Sequence, residues 1–69
     1  MNIFAMTQTK CNIRKTREWL IRQGENSEDP WFLDSIAGQL DGLNDKANST
    51  RFANKADAIR ITRGIEREE

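Results

Sequence analysis

The sequence predicts an all-α fold, with two or three helices forming a hairpin-like subunit that packs as a homodimer. Three observations predict it. Apolar residues recur three and four apart through the middle of the chain, while no alternating apolar–polar stretch is long enough for a strand. Pro30 is the only proline, and it stands where a helix would begin. The chain has 69 residues and one cysteine, Cys11, so it forms one small domain with no internal disulfide. Residues 1–9 and 66–69 are read as fraying ends, and Met6 is a second possible start. No histidine is present, which removes a structural zinc site. Self-association is the support that remains for so small a core, most simply a two-fold dimer.

The first helix is expected from about Asn12 to Gln23, with Gly24 as a left-handed C-cap and Arg22 suiting the negative end of the dipole. Ile13, Thr16, Trp19, Leu20 and Gln23 share one side, and Ile21 falls off it. Arg14, Lys15 and Arg22 lie opposite. A polar connection, Glu25–Asp29, then ends in a start signal: Ser27 or Asp29 can cap and Pro30 fits the first turn.

The second helix is expected from Pro30 to about Lys46. Leu33, Ile36, Leu40, Leu43 and Ala47 repeat with spacing 3, 4, 3, 4, a coiled-coil-like seam flanked by Phe32. Asp34, Asp41 and Asp45 form an acidic edge beside it. Trp31, Ser35, Gly38 and Gly42 fall on a strip opposite the seam, where each interior glycine costs about 1 kcal/mol relative to alanine. Either the strip is buried and lets a second backbone approach closely, or it faces solvent.

A break follows across Asn44–Thr50, with Asn48, Ser49 or Thr50 capping a third helix from Arg51 to Ile65; one long continuous helix is the alternative. Phe52, Ala56 and Ile59 make one stripe, and Ala58, Ile61 and Ile65 make another nearly opposite. Two stripes imply two contacts. The dimer surface is accordingly assigned to Ser35, Gly38, Gly42, Phe52, Ile59, Ile61 and Ile65.

Net charge is zero, but the charges are segregated. Lys10, Arg14, Lys15, Arg17 and Arg22 stand against Glu18 alone in the first block. Glu25, Glu28, Asp29, Asp34, Asp41 and Asp45 follow without a base. Lys46, Arg51, Lys55, Arg60 and Arg63 then stand against Asp57, and the chain closes on Glu66, Arg67, Glu68 and Glu69. Two readings follow: the acidic helix packs between basic neighbours, or one block is a partner-binding face. No apolar run approaches the roughly 20 residues that span a bilayer, and the lone cysteine points to the cytoplasm.

No catalytic constellation is visible, so a non-enzymatic role without cofactors is expected. Without histidine there is no ready proton shuttle, and Ser35, Thr16 and Cys11 have no evident base to activate them. Asp41 and Asp45, spaced i, i+4, fit solvated acids on a helix edge. The function expected is a protein-binding regulator that covers a basic, DNA-binding surface of another protein. Glu28, Asp29, Trp31, Asp34, Asp41 and Asp45 would form its contact. The alternative is a small dimeric DNA- or RNA-binding regulator using bases of the first and third helices. The zero net charge and the scatter of the third-helix bases count against that.

The stretch from Gly24 to Leu33, continuing through Asp34-Ser35-Ile36-Ala37-Gly38-Gln39-Leu40, resembles the small early proteins of temperate bacteriophages, of the anti-quorum-sensing anti-activator type. The resemblance implies a short helical dimer that inhibits a host transcription activator through its DNA-binding domain. It carries over no functional residue.

Overall fold

Three helices follow one another: α1 (Ile3–Asn26), α2 (Pro30–Gly42) and α3 (Lys46–Arg63). The computed structural model describes residues 3–64, with side chains from residue 12 on. Among the described residues there is no strand, so the all-α expectation stands. Ile65 and the expected fraying at 66–69 lie outside the described residues.

α2 begins as its sequence announces. The Asp29 carboxylate accepts from the backbone N–H groups of Trp31 (3.0 Å) and Phe32 (3.4 Å), satisfying two donors that the first turn leaves open. Pro30, next in line, is buried. Leu33, Ile36, Ala37 and Leu40 face inward and join Leu20 of α1 and Phe52 and Ala56 of α3 in the core. Leu43 packs partly against that core, whereas Ala47 has left the seam and is exposed.

The helix ends at Gly42, earlier than expected, and the terminator is Asn44. Asn44 takes a positive φ of 62°, a left-handed conformation that asparagine tolerates better than most residues. Its N–H donates to the Asp41 carbonyl (3.1 Å), and the Asp45 N–H donates to that of Leu40 (2.9 Å). These are the paired bonds of a Schellman motif. Asp45 then caps α3, accepting from the Asn48 N–H at 3.3 Å. The polar run through Thr50 is therefore helical, and α3 starts at Lys46 instead of Arg51. Its far end closes on Gly64, whose φ is 73°.

α1 departs furthest from expectation. It starts at Ile3, well ahead of Asn12, and runs through Gly24 to Asn26. Gly24 is not a left-handed cap: it is buried and helical, and the Phe52 ring lies on it. A Cβ there would sit 2.9 Å from the ring carbons, so glycine is required by close approach. The capping role passes to α3, where Lys55 Nζ donates to the carbonyls of Gly24 (2.9 Å) and Glu25 (3.1 Å).

The inward face of α1 is also rotated from the expected one. Leu20 is buried and Ile21 packs on the core, while Ile13, Thr16 and Trp19 are exposed. Length explains part of this. A 24-residue helix is about 36 Å long and the 13-residue α2 about 20 Å, so α1 outruns what the hairpin can cover. The interface of α2 with α3 is accordingly much larger than that of α1 with α2.

Candidate protein-binding site

The feature that stands out on this scaffold is an exposed indole on an ordered backbone. Trp31 is 60% exposed although it is the second residue of a capped helix. Its backbone is fixed by the Asp29 cap, and the preceding Pro30 is pinned in the core. Across the helix pair, the Arg60 guanidinium lies 5.8 Å from its ring centroid, within reach of a cation–π contact. Arg60 is itself locked. Its side chain is only 11% exposed, pairing with Asp34 of α2 and with Asp57 of its own helix at 3.0 Å. Glu28, one turn before Trp31, lines a shallow groove with Lys55, Ala58, Ile59, Thr62 and Arg63. The start of α2 and the end of α3 thus carry an aromatic projection beside Arg60 and, with neither Trp31 nor Arg60 in its lining, a groove with charges of both signs.

The residues expected to bind a partner do not form one acidic edge. Glu28 and Trp31 stand at the corner, and Asp41 is exposed further along α2. Asp34 is engaged by Arg60. Asp29 and Asp45 are helix caps, the latter also accepting from Asn48 Nδ2 at 3.0 Å. Backbone and neighbouring cations have taken up much of the acidic block.

The expected dimer residues divide as well. Ser35, Gly38 and Gly42 are exposed, and a Cβ on either glycine would meet nothing within 4 Å, so the subunit itself does not bury this strip. Phe52 is fully buried in its own subunit's core, which corrects its assignment to a contact between copies. Ile59 is half-buried against that same core. Ile61, at 78% exposure, remains open, and Ile65 lies outside the described residues.

Arg60 and Lys55, expected from the sequence as phosphate contacts in the nucleic-acid-binding alternative, are instead engaged within the fold. Each acts on a partner 26 or more positions away, and no local spacing signals that. With Arg51, which pairs with Glu25 at 3.2 Å, they turn the basic third block inward onto the acidic second one. The packing of acidic between basic segments is thus realised on the α3 side. The exposed cations of α1, Arg14, Lys15 and Arg22, stay outside that network.

Among the described residues no group of three or more Cys, Asp or Glu side chains could hold a metal ion. No helix among them is long and apolar enough to cross a membrane. No protein-family model matches the chain, and neither a curated protein nor a solved structure is similar to it.

Proposed function

We propose that this chain is a non-catalytic regulator that binds another protein through the corner where α2 begins and α3 ends. One observation carries the reading: Trp31 projects 60% exposed from a backbone fixed by a cap and a buried proline, with the Arg60 guanidinium near its ring. Tryptophan and arginine dominate binding energy at protein interfaces, and a pre-ordered anchor loses little freedom on docking. A separate groove, lined by Glu28, Ala58 and Ile59 but not by Trp31, offers a partner side chain a second place to insert.

On this reading the target presents a basic surface to the exposed Glu28 carboxylate, with Asp41 at a distance. The DNA-binding face of a host transcription activator has that character, in keeping with the resemblance to phage early proteins. A homodimer is part of the proposal. The open space over Gly38 and Gly42, flanked by Ser35, would receive the second copy.

The test is affinity capture from a nuclease-treated bacterial lysate with the tagged chain and its Trp31→Ala and Glu28→Lys variants. Both side chains are exposed, so the variants keep the fold. A stoichiometric partner lost with Trp31→Ala and weakened by Glu28→Lys supports the corner. A partner retained equally by all three forms removes it. Reversing Asp45 is not a clean probe, because it would also break the cap of α3.

A further inference from the structure

The second tryptophan sits in different company. Trp19 is 56% exposed on α1, and the exposed cations Lys15 and Arg22 stand four residues before it and three after. That spacing puts all three on one face of the helix, so the exposed Trp19 belongs with Lys15 and Arg22 and not, as expected from the sequence, on the side opposite them. Asn12 and Asn26 continue the same stripe at either end with spacing 3 and 4, and both are exposed. Leu20, Ile21 and Gly24, which hold α1 to the core, lie on the other side. Among the described residues no ion pair involves Lys15 or Arg22, in contrast to Arg51 and Arg60 of α3.

The composition of this stripe selects among partners. A helical peptide or apolar protein groove would need aliphatic anchors at successive turns, and the stripe has none. An anionic membrane would need a broad apolar face, which is likewise missing from it. An indole between two cations, with side-chain amides above and below, matches an unpaired polynucleotide. A base stacks on the ring, phosphates meet the cations, and amides reach base edges. Duplex nucleic acid could use the cations but would keep its bases from the indole.

We propose that the Lys15–Trp19–Arg22 stripe of α1 binds single-stranded nucleic acid. One base stacks on Trp19, and the phosphates flanking it lie against Lys15 and Arg22, about 10 Å apart along the helix axis. The site is separate from the α2–α3 corner and does not depend on what that corner binds. A chain with both would bring a protein partner to a nucleic-acid strand.

The full chain carrying Trp31→Phe leaves Trp19 as the only indole and so as the reporter. Titration with an oligothymidylate of about 12 nucleotides, within the span single-strand sites cover, is expected to quench its fluorescence at low salt. Anisotropy of the labelled oligonucleotide should show Trp19→Ala binding roughly 5- to 100-fold more weakly. In K15A/R22A the slope of log affinity against log salt should be shallower by about 1.4, from two lost phosphate contacts. Circular dichroism of these surface variants should match the parent. No binding at about 50 mM salt would overturn the proposal, since phosphate contacts are strong there. So would a slope unchanged in K15A/R22A, or a duplex binding as tightly with Trp19 unquenched. A polyglutamate peptide that displaces the oligonucleotide equally well would reassign the stripe to an acidic protein.

Discussion

The α2–α3 hairpin and the α1 helix use their residues in opposite ways. In the hairpin many of the charged groups are committed internally, Asp29 and Asp45 to caps and Asp34 and Arg60 to one another, and Trp31, Asp41 and Ile61 are what it leaves exposed. Among the described side chains of α1, those around Leu20, Ile21 and Gly24 are held, and the exposed polar and aromatic groups of Asn12–Trp19 have little tertiary cover. A helix is marginal alone in water, so α1 is set in place by its C-terminal third. The difference teaches where to look for function: side chains that the fold does not use remain available to something else.

The comparison can be broken from the hairpin side first. Phe52→Ala should cost about 3–5 kcal/mol, because it empties the contact joining all three helices. Urea titration followed by circular dichroism would read this, and a loss below about 1 kcal/mol would mean that the ring is not central. Gly24→Ala should come next. Overpacking against the ring costs about 1–3 kcal/mol, of which alanine's helix preference returns at most about 1. A stabilised variant in thermal melts would show that α1 is not seated on Phe52.

Asp29→Ala removes the α2 cap and should lower stability by about 1 kcal/mol, with Asp29→Asn close to neutral. Equal losses for both would assign the effect to charge instead of capping. Gly38→Ala, with nothing within 4 Å of the new methyl, should raise stability by up to about 1 kcal/mol. It would fall instead if a second copy covers that strip. Trp19→Ala should change the monomer's stability least, within about 0.5 kcal/mol, as for surface positions generally. A larger loss would place Trp19 inside the folding unit and erase the contrast.

What was legible in the sequence was what is local. Asp29-Pro30 marks the start of α2, and the spacing of Leu33, Ile36 and Leu40 gives its buried face, because cap chemistry and helical period act within a few residues. The misplaced boundaries share a cause. Asn48, Ser49 and Thr50 are poor helix formers by propensity, yet Asp45 caps them and packing overrides the preference. Gly24 looks like a terminator until Phe52, 28 positions later, arrives on top of it. The site follows the same rule. The place of Trp31 beside Asp29-Pro30 allowed an exposed corner as well as the core, and both that choice and the uptake of Asp34 by Arg60 required the fold. The acidic block looked like a surface because its partners are distant in sequence.

The joint between α2 and α3 carries a consequence for how this chain can change. Asp45 donates its N–H to close one helix and offers its carboxylate to open the next, leaving no spare residue between them. A single insertion at the joint would rotate α3 by about 100° around its axis. Phe52 and Ala56 would swing off the core, and Arg60 would leave Asp34. Substitution at the joint is a matter of degree, but its length is all-or-none. The orientation of α3, 18 of the 69 residues, is inherited as a count of residues.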